Sequence, residues 1–312
     1  MVTRDTDFSP KRTRRDFLAS GIVGLAGSTI FAGRGNGIHP NSSADSPVGP
    51  LPSEDAGQNN PGKAQRAAGG LYWWFEDAAR LPADPSYYRR VIDFCHDWKL
   101  NGCVLSLTDD QGCALKFKSH PELITHKNAL TDKQAKALAD YAQQQGVDLV
   151  PLIESFGHTR YITDVPQYAY LEDRMPGAKH NFSSVSPVAS ETLKLISDLY
   201  REAAEIFPAP YLHGDCDEVN WGGSELSRKA LKTKSRDEIW ANYINYLDHA
   251  ARGVGKQFII SGDNVVHKRP EILPRLNKDI IVMDWHYYAT APEPLEQGAR
   301  KIIGAGLRAI GG

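Results

Sequence analysis

The sequence predicts an α/β protein, a parallel barrel of the (β/α)8 type, on three observations. From Gly70 onward, strand-like and helix-like segments alternate at intervals of roughly 30 to 60 residues. The strand-like segments are apolar almost throughout, as parallel strands buried on both faces must be. No G-x-G-x-x-G follows any of them, so the doubly wound dinucleotide fold lacks its phosphate-binding turn.

"GLYWWF" (70–75) is the first strand. A helix follows over "DPSYYRRVIDFCHDWK": Asp84 caps it, Pro85 suits its first turn, and Tyr88, Val91, Ile92, Cys95 and Trp98 recur at helical spacing. "GCVLSL" (102–107) is the second strand. The next helix is bounded by a Thr131/Gln134 capping box and by Gly146. "VDLVPLI" (147–153) is the third strand. Ser186-Pro187 opens a long amphipathic helix to about Phe207, with Leu195, Ile196, Leu199, Ala203 and Ile206 on one face. "PYLHGD" (210–215) is the fourth strand, and Ser235 with Glu238 caps a helix to about Gly253. "QFIISG", "DIIVMDW" and "LRAIGG" are strands five, six and seven. A closed barrel needs eight strands; seven are legible and the chain stops at the seventh, so a barrel cut short after about seven strands is expected.

The totals narrow the class of function. Of 312 residues, 41% are hydrophobic and the formal charge is −2, with no basic stripe beyond the N-terminus, which argues against a nucleic-acid partner. The four cysteines (Cys95, Cys103, Cys113, Cys216) form no C-x-x-C and are read as free core thiols. "KRTRRDFLASGIVGLAGSTIFA" (11–32) joins a basic stretch to an apolar run from Phe17 to Ala32, too short for a membrane span but suited to a signal segment. Its "TRRDFLA" resembles a twin-arginine export signal. Residues 1–32 are therefore expected to direct export to the periplasm or beyond the cell, leaving no stable membrane span after removal. Residues 33–66, rich in Gly, Pro, Ser and Asn, read as a disordered linker, and residues 67–312 as the barrel.

In such barrels the chemistry sits at the C-terminal ends of the strands. Here the first six strands all exit into polar clusters: Glu76-Asp77, "TDDQG" (108–112), "ESFGHT" (154–159), "DCDEVNW" (215–221), "GDNV" (262–265) and "DWHYY" (284–288). Six consecutive polar exits mark this rim as the active site. "HGDCDEVNW" (213–221) admits two readings. If the strand runs on, His213, Asp215 and Asp217 face one way, as metal ligands would. If it ends near Asp215, Asp217 and Glu218 form a carboxylate pair on a turn.

The neighbouring motifs favour the pair. "LHGDCDEV" (212–219) resembles the H-x-G-[GC]-D-E-V signature of glycoside hydrolase family 20, the β-N-acetylhexosaminidases. "KLNGCVLSLTDDQG" (99–112) and "LVPLIESFGHT" (149–159) resemble the same family's second- and third-strand motifs, in a form nearer the hexosaminidase D branch than the lysosomal enzymes. The resemblance runs from about Gly70 to the C-terminus. It implies a TIM-type barrel and a hydrolase removing terminal β-linked N-acetylhexosamine (GlcNAc or GalNAc), with retention and without metal or cofactor. The partner would be an aminosugar-containing glycan or oligosaccharide. It also implies that Glu218 is the general acid, that Asp217 holds the substrate's acetamido group, and that His158 backed by Asp109 orients the acid. Trp285, Trp221 and Tyr287 are candidate sugar walls, because pyranose C–H faces stack on aromatic rings; His213 is a candidate support from inside the barrel.

The chain departs from the family pattern in places. Asp215 stands where the family has glycine, Ser106 where many members have histidine, and Gly69-Gly70 where an arginine precedes the first strand. Two other readings follow. One is a catalytically impaired barrel that binds aminosugars. The other is a metal-dependent hydrolase using His213, Asp215 and Asp217.

Overall fold

A computed structural model describes residues 70–177, 182–287 and 291–312. The expected signal (1–32) and linker (33–66) lie outside the described residues.

The elements follow the chain in the expected order. Strand β1 (Trp73–Glu76) leads to helix α1 (Pro85–Asp97) and strand β2 (Gly102–Ser106). Asp84 caps α1 by accepting the Ser86 N–H at 2.8 Å. Asn101 ties the first two strands together: its amide accepts the Tyr72 N–H and donates to the Gly70 carbonyl, at 2.9 and 2.7 Å. The chain then makes an excursion that the sequence patterns do not predict. Strands β3 (Thr108–Asp109), β4 (Gly112–Leu115) and β5 (Thr125–Leu130) form a small separate sheet. These runs are too short and mixed to show a period, so only their mutual pairing defines them.

Helix α2 (Asp132–Gln144) opens with the predicted capping box and leads into β6 (Asp148–Leu152). A short helix α3 (Arg160–Thr163) follows, then the long helix α4 (Ser190–Ile206). The expected start of α4 at Ser186 is corrected by four residues. Ser186 is pinned outside the helix, its N–H on the Leu171 carbonyl and its hydroxyl beside that of Ser227. Strand β7 (Tyr211–His213) is followed by α5 (Glu225–Ala230), α6 (Arg236–Gly253) and β8 (Gln257–Ser261). A π-helical turn (Asp263–Lys268) and a 3-10 turn (Pro270–Arg275) precede β9 (Ile281–Asp284). Helix α7 (Glu293–Gly304) and strand β10 (Arg308–Gly311) complete the order. The sequence reading missed α7, whose interior Gly298 lowers its intrinsic propensity and whose opening Pro292 and Pro294 read as a turn. Packing of one face supplies what propensity lacks.

Seven strands form one sheet in the order β1-β2-β6-β7-β8-β9-β10, every pair parallel. That is the strand order of a (β/α)8 barrel wall. Alternate strand residues sort to opposite faces, as the two-residue period requires. Cys103, Leu105, Leu149, Leu212, Phe258, Ile260 and Val282 join the large core with the helices' apolar stripes. Val104, Val150 and Leu152 belong to a second cluster, against Trp73 and Tyr211. The four cysteines are free and buried, as expected. Among the described residues, no helix is long and apolar enough to cross a membrane.

Candidate active site at the strand ends

The rim residues are brought together by two loops with unusual backbones. Among the described residues, five other than glycine have left-handed φ: Lys99, His158, Asp215, Cys216 and Glu218. Four of these lie on the exits of β6 and β7. Such conformations cost of order 1–3 kcal/mol each and persist only where the surroundings over-determine them. The concentration of strain at one rim marks the site independently of any motif.

The β6 exit is held by tyrosine hydroxyls from three helices. Tyr161 of α3 donates to the Glu154 carbonyl at 2.6 Å, and Tyr243 of α6 donates to the Ser155 carbonyl at 2.5 Å. The Tyr200 hydroxyl of α4 meets that of Ser155 at 2.6 Å. Strand β7 ends at His213, and the left-handed pair Asp215 and Cys216 turns the chain back. The expectation that His213, Asp215 and Asp217 share one strand face is therefore corrected. The His213 Nδ1 accepts the Asp215 N–H at 3.0 Å, so the imidazole braces the turn. Fully buried, it is held neutral by desolvation, which outweighs the nearby Asp215 charge. It supports the rim from inside the barrel, and the groups gathered with Asp215 and Asp217 are carboxylates, Glu154 included and His213 not, which tells against the metal triad.

His158 is the hub. Its Nε2 lies 3.1 Å from Glu218 Oε2 and 3.4 Å from Asp217 Oδ1. On the other side, Nδ1 lies 3.5 Å from Asp110 Oδ2 and 3.7 Å from Asp109 Oδ2. The sequence named Asp109 as its partner; the structure places both aspartates there and gives the shorter approach to Asp110. Asp109 is engaged by Arg80, whose Nε and Nη2 donate to Oδ2 at 3.0 and 2.8 Å. Arg80 escaped the sequence reading because it sits in the loop after β1, beyond any motif. Burial works against charge on His158, but Asp110, Asp217 and Asp109 outweigh it and push its pKa up to about 9.

That charge has a consequence for stability. A raised folded-state pKa means the His158 contribution is complete below the unperturbed value of 6.5 and is lost as pH rises through about 9. The interval corresponds to roughly 3 kcal/mol at most. His158→Gln is expected to destabilise the protein most near pH 6 and progressively less toward pH 9.5. Denaturant titrations of both proteins at the two pH values check this; a pH-independent difference would show that His158 carries no charge in the fold.

The carboxylates are graded by depth. The Glu218 side chain is 37% exposed, and its backbone N–H donates to Asp263 Oδ2 at 3.2 Å. Asp217 is more enclosed; burial, then the Asp215 charge, push its carboxyl up, while His158 opposes them. Asp215 accepts the Ser261 hydroxyl. Glu154, which no motif singled out, lies deeper, and burial followed by the Asp215 and Asp217 charges pushes it up strongly. Glu154, Asp215 and Asp217 each place a carboxylate oxygen within 4.8 Å of the others. Asp215, in the family's glycine position, thus adds a charge to the carboxylates around Asp217 and stands near the His213 ring as well.

The aromatic candidates divide. Trp285 and Tyr287 stack at 4.9 Å and 27°, at the exit of β9. Tyr287 is 75% exposed, and desolvation, then the Asp215 and Asp217 charges, push its phenol up. Trp221 is corrected: only 1% exposed, it packs against Phe156 and Trp240, with the Arg236 guanidinium 4.6 Å above its ring. It is a core residue with no face left for a sugar. An indole serves either purpose, and only the surrounding packing decides between them.

Residues 74–308 match the sequence profile of the catalytic domain of glycosyl hydrolase family 20. A β-hexosaminidase of Vibrio furnissii is 22% identical over 250 residues, covering 70% of this chain and 40% of that one. Hexosaminidase D of Bos taurus is 24% identical over 160 residues, covering 50% and 43%. Among solved structures, an exo-β-N-acetylglucosaminidase from Vibrio harveyi in complex with N-acetylglucosamine superposes with a TM-score of 0.63 at 21% identity, over 77% of this chain and 41% of that one. The chain thus spans less than half the length of these relatives.

Proposed function

This chain belongs to glycosyl hydrolase family 20, and on that premise we propose that it hydrolyses terminal β-linked N-acetylhexosamine from an aminosugar glycan, with retention. The observation that carries the proposal is the adjacent Asp217–Glu218 pair at the strand ends, with Glu218 open to solvent and both carboxylates in reach of His158. In this reading Glu218 donates its proton to the glycosidic oxygen as the bond to the anomeric carbon breaks. The substrate's own 2-acetamido oxygen attacks that carbon, the exception to the usual two-carboxylate scheme. Asp217 accepts the acetamido N–H and balances the positive oxazolinium ring. Glu218, now ionised, takes a proton from water as it attacks the anomeric carbon, which restores the acetamido group and gives net retention.

The burial of Asp217 bears on this role. In the free site, burial and the Asp215 charge push its carboxyl up, while the His158 charge opposes them. The developing cation and His158 draw it toward the ionised form when it is needed, so the carboxylate stabilises the intermediate more than the ground state. Trp285 and Tyr287 supply an apolar wall for the sugar, and His158, held by Asp109 and Asp110, positions Glu218.

The test is hydrolysis of a nitrophenyl β-N-acetylglucosaminide beside the corresponding β-glucoside and beside Asp217→Asn. Cleavage of the aminosugar alone, with the β-anomer appearing first, and a loss of at least about 100-fold in the variant are expected. Equal turnover of the plain glucoside would sink the substrate-assisted step, and no turnover of either would sink the activity. We also propose export through the twin-arginine pathway, supported by "TRRDFLA" and the apolar run to Ala32. Arg14→Lys with Arg15→Lys should hold the precursor in the cytoplasm; unchanged export would remove this reading.

A further inference from the structure

Flanking Trp285 in the sequence lies a second cluster that the proposed hydrolysis does not use. Asp284 ends β9, His286 follows two residues later, and His267 projects from the π-helical turn after β8. His267 Nε2 meets Asp284 Oδ1 at 2.7 Å, and His286 Nε2 meets Asp284 Oδ2 at 3.1 Å. The two imidazoles thus address different oxygens of one carboxylate. Their rings stand nearly perpendicular, 81° apart with centroids at 5.0 Å.

We propose that His267, Asp284 and His286 bind a divalent transition-metal ion of the zinc class. One ligand atom from each lies within 4.8 Å of the others. The two N–O separations, 2.7 and 3.1 Å, are shorter than the edge of a coordination tetrahedron, about 3.3 Å for bonds of ~2.0–2.1 Å, so an ion would replace these hydrogen bonds and move the groups apart by about 0.6 Å or less. Two imidazoles and one carboxylate suit Zn2+, Co2+ or Fe2+, whereas Ca2+ and Mg2+ favour sets made only of oxygen. The surroundings leave room for the carboxylate at a local cost. Gly298 lies inside α7, where glycine is about 1 kcal/mol worse than alanine. A Cβ at that position would stand 1.8 Å from Asp284 Oδ2. Asp284 is buried, while the His267 side chain is 36% exposed, which gives an ion a path in and leaves a position for water.

An ion here would join the π-helical turn to the exit of β9. The same turn carries Asp263, which accepts the Glu218 N–H, and Trp285 lies between two of the ligands in sequence. Its role would be to position the acid's loop and the aromatic wall, leaving the reaction itself to Glu218 and Asp217.

The test is calorimetric titration of the full chain with Zn2+, with ligand-field absorption of Co2+ as a second readout. One equivalent is expected to bind the wild type and raise its Tm. In His267→Gln and His286→Gln, affinity should fall by more than the roughly 10–100-fold that even outer-shell losses cost. His267→Gln removes a partly exposed side chain and is expected to fold, so the comparison does not depend on the buried Asp284. No saturable uptake by the wild type, or uptake unchanged in His267→Gln, overturns the proposal. Uptake abolished by Asp215→Asn but kept in His267→Gln would also overturn it, by moving the ion to the acidic cluster. None of these readouts depends on glycosidase activity.

Discussion

Glu218→Gln is expected to lower turnover by about 10²- to 10⁴-fold, the usual worth of a positioned general acid. The amide keeps the shape of the side chain and can still hydrogen-bond to His158, 3.1 Å away from the native Oε2. It has no proton to give to the departing oxygen and cannot take one from water. The size of the loss should therefore depend on the leaving group. An alkyl aminosugar glycoside, which leaves as a strongly basic alkoxide, needs the proton and should show the full loss. A nitrophenyl glycoside leaves without it and should lose less in the first step. Because the native side chain is partly solvent-exposed, stability should change by no more than about 0.5 kcal/mol. Measuring kcat/KM on both glycosides checks the assignment. Equal losses on the two would mean that Glu218 binds or positions the substrate and transfers no proton.

Gly157→Ala is expected to damage stability and activity together. A Cβ at residue 157 would stand 2.2 Å from the carbonyl oxygen of Asp217. That contact is with backbone, so no side-chain rotation relieves it, and one of the two rim loops must move. Overpacking of this kind costs about 1–3 kcal/mol and sometimes more. The displaced loops are the ones that set His158 against Asp217 and Glu218, and a misplacement of about 1 Å at a reacting group can cost 100-fold in rate. Gly253→Ala is the control, since an added Cβ there has no neighbour within 4 Å. Thermal unfolding and turnover of both variants are the measurements. A Gly157→Ala protein with native Tm and native rate would show that the two exits do not rest against each other.

Both expectations join what sequence pattern reveals to what it does not. Glu218 was legible from the motif in which it stands, and its place at the rim from the polar exits of the strands around it. The need for glycine at 157 was not legible, because the atom it avoids lies sixty residues away in another loop. Trp221 and Trp285 make the same point. Each follows a strand and each is an indole near acidic residues, yet one stacks with Tyr287 at the rim and the other is sealed among Phe156, Trp240 and Arg236.

The sequence by itself determined the order of the seven sheet strands, the helices with clear apolar stripes and caps, and the rim on which the chemistry gathers. These are set by local periods of two and about 3.6 residues and by side chains that bond to their own neighbours. Tertiary structure alone decided the rest. It ended β7 at His213 by holding Asp215 and Cys216 left-handed, and it set Arg80 on Asp109 and Asp110 beside His158. It put Glu154 behind Asp217 and gathered His267, Asp284 and His286 into one cluster. Each of these depends on how closely two distant stretches of backbone approach once the sheet is packed. Proximity of that kind fixes burial, charge and partner, and it leaves no period in the chain to be read.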